Sequence, residues 1–288
     1  KLFDFCLTHL FPQCLSASNP HQAMLLQVVQ ATAQLIAHWQ AIGFCHGVMN
    51  TDNMSILGDT LDYGPYAFMD DYNPHHICNH SDHTGRYAFD QQPSIGLWNL
   101  NALAYTFSSH LSVKEIQQTL AQYEPTLIAH YQLLMQQKMG FIQWSNVEQQ
   151  LLNDYFDIMQ RNHSDYSLSF RLLNTLHQGT ANQQTVLFEL HDNDEQFKQW
   201  AQRYKKLTAK QWSNDEARIE QQNKVNPKYI LRNHLAEEAI RKAQQGDNSE
   251  VHRLQKILAR PFDEQIEFEA YAAPEPQWSK NLVITCSS

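Results

Sequence analysis

Apolar positions recur at helical spacing along most of the chain. Residues 1–18 are apolar, interrupted at Pro12, and read as a short helix and a turn. Asn19 followed by Pro20 is a cap with proline at the first helical position. Met24, Leu25, Val28, Val29, Leu35, Ile36 and Trp39 then keep one face apolar as far as Gly43, the expected stop. Two apolar runs, Met54–Leu57 and Thr60–Tyr63, are separated by Gly58 and Asp59 and predict a small hairpin. Residues 70–94 carry few aliphatic side chains and read as a long loop, a length that is uncommon without a functional reason.

Helical spacing resumes at Pro93 and Ser94 through Ile95, Leu97, Trp98, Leu100, Leu103, Ala104 and Phe107. Further helices are expected over 113–122, 125–139, 146–160 and 165–177, the third of these opened by a capping box from Ser145 to Glu148. Residues 191–223 are polar with a narrow stripe at Phe197, Trp200, Ala201, Tyr204, Leu207 and Trp212, which predicts exposed helices with one core-facing edge. Helices over 229–244 and 249–259, split at Gly246-Asp247-Asn248, precede a proline-spaced acidic tail. The pattern predicts a mainly α protein with little strand.

Composition narrows the class. The chain has 288 residues, 42% of them hydrophobic and 18% charged, as in a folded domain rather than a disordered segment. A net charge of −9 speaks against a nucleic-acid partner. No apolar run approaches the roughly eighteen residues of a membrane span, so no membrane partner is expected. The five cysteines, Cys6, Cys14, Cys45, Cys78 and Cys286, are too scattered for a disulfide framework. With no signal-peptide pattern at the start, the expected location is the cytoplasm. Lys1 opens in an already apolar segment, so the natural N-terminus is expected to lie upstream.

The candidate chemistry lies in His46 to Asp71, HGVMNTDNMSILGDTLDYGPYAFMDD. A hard divalent cation holding phosphates needs oxygen ligands from separate backbone segments. Protein kinases provide them from a loop H-R-D-L-x-x-x-N followed by D-F-G. His46 aligns with the His, Asn53 with the metal-binding Asn, and Asp62-Tyr63-Gly64 with D-F-G, while the catalytic Asp falls on Val48, which accepts no proton. Asn53 and Asp62 are therefore the candidate ligands for Mg²⁺ or Mn²⁺, and Asp62 also faces the nucleotide. Asp52 is the carboxylate that can replace the base. Asp59 reads as a turn residue.

Other groups carry weaker signals. His75, His76, Cys78, His80 and His83 have spacing that admits zinc, but no second ligand pair follows, and a polar His-rich loop is the simpler reading. Arg86 suits either a phosphate or an ion pair with Asp82 or Asp90. Asn226, Lys228 and Arg232 read as helix-start residues pairing with acidic neighbours. Cys286 sits in a polar terminal segment, and a redox-sensitive disulfide to Cys78 would tie that segment to the loop beside the site.

HGVMNTDNMSILGDTLDYGPYAFMD, HHICNHSDHTGRYAFDQQPSIGLWNL, NPKYILRN and a terminal CSS together resemble the selenoprotein O family over essentially the whole chain. These are bacterial and wider pseudokinases that act as protein adenylyltransferases. The resemblance implies a protein-kinase-like C-lobe over residues 1–180, with a small β-hairpin at the active site and an activation-segment-like loop. A helical C-terminal extension with a Cys-containing tail would follow over 181–288. It also implies ATP bound in a flipped orientation, and AMP transfer to Ser, Thr or Tyr of client proteins with release of diphosphate, with UTP in place of ATP left as an open alternative. The family's acid/base carboxylate falls on Asp52 and its metal ligands on Asn53 and Asp62. Some members carry selenocysteine near the C-terminus, where this chain has Cys286, which fits redox regulation. The family's N-terminal lobe, with its glycine-rich loop, lysine and phosphate-binding arginines, has no counterpart before His46. The 288 residues are accordingly expected to be part of a longer protein and weakly active or inactive alone.

Overall fold

In a computed structural model, which describes residues 1–176 and 181–283, the chain is mainly helical. The elements, in order, are α1 (Leu2–His9), α2 (Pro20–Ile42), β1 (Phe44–Cys45), β2 (Ala67–Phe68), α3 (Gln92–Tyr105), α4 (Val113–Leu120), α5 (Tyr123–Lys138) and α6 (Asn146–Asn162). They continue with α7 (Tyr166–Arg171), α8 (Ala181–Leu190), α9 (Glu195–Gln211), α10 (Asp215–Val225), α11 (Asn233–Gln244) and α12 (Ser249–Leu258), with short 3₁₀ turns between them.

Helix α2 follows its sequence signals. The Asn19 side chain accepts from the Gln22 amide, Pro20 takes the first turn, and Gly43 closes the helix in the left-handed conformation at φ 72°. Its apolar face enters a core with Leu7, Phe11, Phe44, Met49, Leu100, Phe107 and Tyr123. The capping box at Ser145 and Glu148 is formed, and α6 runs as far as Asn162. A second core joins Leu151, Tyr155 and Phe170 to the α9 stripe of Phe197, Trp200 and Tyr204. Burying each of these large side chains contributes about 1.5–3 kcal/mol. Trp200 stacks on Tyr155 at 4.2 Å and donates through Nε1 to the Leu151 carbonyl at 2.8 Å.

Several expectations are corrected. The hairpin over Met54–Leu57 and Thr60–Tyr63 does not form: β1 pairs antiparallel with β2, Phe44 opposite Phe68 and Cys45 opposite Ala67. The pair therefore closes the neck of the whole 46–66 segment. Residues 54–60 lie on α2 instead of pairing with each other. Met54 and Ile56 pack into the α2 core, and Trp39 Nε1 donates to Thr60 Oγ1 at 2.9 Å. Only a turn remains, from the Ser55 carbonyl to the Gly58 amide, with Asp59 just after it.

The helix expected from 165 ends at Arg171 and continues as a 3₁₀ turn over Leu172–Thr175, and His177 lies outside the described residues. The helix expected from Tyr229 begins at Asn233. The amides of Lys228 and Tyr229 donate to the Pro261 carbonyl, while Arg232 is drawn into the core by two carboxylates, so this segment stays extended.

Candidate functional site

The 46–66 segment is held at both ends. Its backbone is fixed by amide side chains from surrounding elements. Gln92, fully buried at the start of α3, accepts from the His46 amide at 2.9 Å and donates to the Phe44 carbonyl at 3.0 Å. Asn99, further along α3, donates to the Met49 carbonyl at 3.0 Å, and Asn79 donates to the Gly47 carbonyl at 3.3 Å. The Tyr87 hydroxyl donates to Asn50 Oδ1. Gly47 has φ 80°, and a Cβ there would stand 2.3 Å from the Pro65 carbonyl oxygen and 2.7 Å from Cys78 Sγ. Only glycine lets the backbone cross so close to Pro65.

Within this frame one chain of contacts links the two candidate metal ligands. Asn53, on the 3₁₀ turn Thr51–Asn53, donates through Nδ2 to the Val48 carbonyl at 3.0 Å. The Val48 amide donates to His46 Nδ1 at 3.4 Å, which leaves the ring proton on Nε2. Nε2 then donates to the Leu61 carbonyl at 2.9 Å. Leu61 precedes Asp62, a non-glycine residue at φ 57°. Such backbone strain is retained only where the surroundings over-determine it. Burial pushes the His46 imidazole below its usual value, against the Leu61 carbonyl and the Asp62 charge. A neutral ring with one donor and one acceptor nitrogen is what this relay uses.

With Nδ2 tied to Val48, the Asn53 side chain has its carbonyl oxygen as the atom that could face a cation. The Asp62 and Asp52 carboxylates are exposed to solvent and enter no hydrogen bond within the described residues. This all-oxygen donor set suits a hard cation such as Mg²⁺ or Mn²⁺ rather than zinc. Asp52 lies on the same 3₁₀ turn as Asn53.

The remaining candidates are placed as follows. Cys78 is 3% exposed, its thiol facing the Pro65 and Cys45 carbonyls beneath the Gly47 crossing. Cys286 lies outside the described residues. His75 pairs with Asp90 at 2.7 Å, and among the described residues no three of His, Cys, Asp and Glu converge on a metal position. The Arg86 guanidinium lies over Trp98 at 4.9 Å, and Asp82 instead caps the Arg86 and Tyr87 amides. Lys228 pairs with Glu264 and Glu269, and Arg232 with Asp70 and Asp165; Arg232 is the residue that opens α11, without a side-chain cap, whereas Lys228 lies in the extended segment before it. Asn226 donates to the Lys138 carbonyl.

Sequence reasoning missed Gln92, Asn99, Asn79 and Tyr87. Gln92 and Asn99 recur seven residues apart, on the buried side of α3, and amides at core positions were the available signal. Among the described residues no helix is long and apolar enough to cross a membrane.

A family model described as Protein adenylyltransferase SelO matches residues 1–259. Protein nucleotidyltransferase YdiU of Vibrio vulnificus (strain YJ016) is 50% identical over 293 residues, covering 100% of this chain and 59% of the relative. The proteins of the same description from Pseudoalteromonas atlantica and Vibrio cholerae are each 46% identical, again over 100% of this chain and over 60% and 59% of the relatives. The chain thus spans about three fifths of the length of these curated relatives.

Proposed function

This chain belongs to the Protein adenylyltransferase SelO family, and from that premise we propose that it carries the metal-binding and acid/base half of a protein nucleotidyltransferase site. The observation that carries the reading is the contact chain Asn53–Val48–His46–Leu61–Asp62, which ties two oxygen ligands to one imidazole. Asn53 and Asp62 would hold Mg²⁺ or Mn²⁺, which when bound neutralises phosphate charge. His46 is a positioning residue: it fixes the backbone from which Asp62 projects. Asp52 accepts the proton of a client Ser, Thr or Tyr hydroxyl as its oxygen bonds to the α-phosphorus of ATP. The bond from the α-phosphorus to the bridging oxygen breaks, and diphosphate leaves. Val48 cannot play the acceptor-orienting part that the aspartate at this position plays in ordinary kinases, which favours this reading over γ-phosphoryl transfer. UTP is a second candidate donor.

We further propose that the groups clamping the triphosphate lie outside these 288 residues, so that the isolated chain transfers little AMP. The proposal includes redox control through Cys78 and Cys286. Lys280 bonds Asp71 at 3.0 Å, bringing the C-terminal segment to the start of the long loop. A bridge to Cys78 requires that loop to open, because the thiol is buried. Mass spectrometry of non-reduced peptides tests it, and absence of the linked pair under oxidising conditions rejects it.

The deciding experiment for the activity follows label from ATP into protein, using the chain within a protein of its relatives' full length. Label from α-³²P but not γ-³²P ATP is the expected result. Asp52→Asn should lower transfer about 10²–10⁴-fold, as expected for loss of an acid/base group. Label from γ-³²P ATP would establish a kinase instead, and label from neither would establish a binding module.

A further inference from the structure

Away from the proposed site, two imidazoles face each other across a helix pair. His38 is exposed on α2, and His130 is half-buried on α5. Their Nε2 atoms are 3.0 Å apart, the ring centroids 4.8 Å, and the ring planes meet at 66°. The two residues are 92 positions apart in sequence, so the pair is made by packing and not by local helix geometry. Core contacts flank it on both sides. Tyr123, at the start of α5, shares a core with the α2 face, and Met135 and Met139, beyond His130, share one with Ala41. The helices therefore hold the two residues side by side.

That separation lies within a small ring rotation of the distance one metal ion would set. Two metal–nitrogen bonds of about 2.0–2.1 Å end ~2.9 Å apart when they meet at a right angle, and ~3.4 Å apart at a tetrahedral angle. Two imidazoles, with the remaining positions open to water, suit a tetragonal Cu²⁺ or Ni²⁺ ion. Imidazole suits these ions, and Cu²⁺ stands highest in the usual affinity order. Burial and the neighbouring imidazole push His38 below its ordinary value, so its nitrogen lone pair is available at neutral pH. No third His, Cys, Asp or Glu joins the pair among the described residues, which leaves the other coordination positions to water. The donor set also separates this place from Asn53 and Asp62, whose oxygens select hard ions.

We propose that His38 and His130 form a two-point site for a divalent copper ion, with Ni²⁺ as the weaker occupant, bridging α2 to α5. The ion replaces the hydrogen bond between the rings. Both Nε2 lone pairs turn to the metal, the ring protons sit on Nδ1, and the proton shared between the Nε2 atoms is released if either ring was protonated.

The test titrates CuCl₂ into the metal-free 288-residue chain, followed by calorimetry and electron paramagnetic resonance. His38→Gln, His130→Gln and the double variant are run beside it. The chain has 15 histidines, so the difference between wild type and variants is the readout. One equivalent bound at least ~10-fold more tightly by wild type, with a two-nitrogen hyperfine pattern, is expected. Each single variant should lose that equivalent, and the double variant should be no worse than either single. A rise in wild-type melting temperature with one equivalent of Cu²⁺ should vanish in all the variants. Identical titrations of wild type and double variant would overturn the proposal and leave a hydrogen-bonded pair only. A measurement without substitutions guards against misfolded variants. One equivalent of Cu²⁺ should protect His38 and His130 of the wild type from diethyl pyrocarbonate, read by peptide mass spectrometry. Unchanged modification of both residues would equally overturn it.

Discussion

The buried guanidinium of Arg232 serves two carboxylates, and the surplus negative charge gives a quantitative prediction. Arg232 is 1% exposed and contacts Asp165 at 2.6 Å as well as Asp70, whose side chain is 16% exposed. Burial, together with the Asp165 and Glu275 charges, outweighs the attraction of Arg232 and raises Asp70 to about 6. An unfolded aspartate titrates near 3.9. At about 1.4 kcal/mol for each tenfold change, ionised Asp70 costs the folded state roughly 3 kcal/mol. The sign follows from the raised value. Below pH ~4 the group is protonated in both states and carries no penalty, and the penalty grows as pH rises, reaching its full size above pH ~6. Asp70→Asn keeps the shape and leaves Arg232 paired one-to-one with Asp165. Urea melts of wild type and variant at pH 4, 5, 6 and 7.5 should show near-equal stability at pH 4. The variant should gain progressively, by up to about 3 kcal/mol, by pH 7.5. General acid effects cancel in the difference. A variant that loses stability relative to wild type as pH rises would refute the reasoning, because it would mean that the Arg232–Asp70 attraction exceeds the cost of burial.

Other substitutions probe the frame. Gly47→Ala combines about 1–2 kcal/mol of left-handed backbone cost with overpacking of about 1–3 kcal/mol against Pro65 and Cys78. Adding Cys78→Ala should restore only part of the thermal stability, because the Pro65 carbonyl clash at 2.3 Å remains. Lys138 is 4% exposed, has Phe170 at 4.7 Å beneath its ammonium, and is lowered by burial to about 7. Its penalty is absent above the unfolded value near 10.4 and grows as pH falls to about 7. At pH 7.5 the folded-state amine is already mostly neutral and has little cation–π contact to lose, so Lys138→Met should stabilise by about 2–4 kcal/mol, and a lower midpoint in urea would contradict this. Gln92→Ala leaves the His46 amide and Phe44 carbonyl unpaired, a loss of roughly 2–5 kcal/mol in chemical denaturation.

Helix positions were legible because they rest on local chemistry. Asn19, Pro20 and Gly43 bound α2 as their residue types dictate, and Ser145 with Glu148 starts α6. The α9 stripe likewise announced Phe197, Trp200 and Tyr204 as core. The 54–63 segment misled because alternation and a Gly-Asp pair look the same whether the partner is the next strand or a helix. Here α2 offered Trp39 for a hydrogen bond and an apolar face for Met54 and Ile56. The extended 226–232 segment was hidden for a related reason, since its partners, Pro261, Asp70 and Asp165, are distant in sequence. At the candidate site, residue identity pointed to Asn53 and Asp62. The relay between them depends on Val48 backbone groups, which side-chain patterns do not encode.

The loop that bears Asp52 is shaped mainly from outside itself. Gln92 and Asn99 on α3, with Asn79 and Tyr87 from the long loop, grip main-chain groups of residues 46 and 49, the carbonyl of Gly47 and the side chain of Asn50. Val48, Thr51 and Asp52 contribute no side-chain bond to that grip. Geometry and reactivity are thereby uncoupled. Side chains at those three positions can be exchanged while the backbone path stays put, so the scaffold can host a change of reaction without being rebuilt. Gln92 and Asn99, whose amides hold the main chain at residues 44, 46 and 49, are the positions where exchange would loosen it.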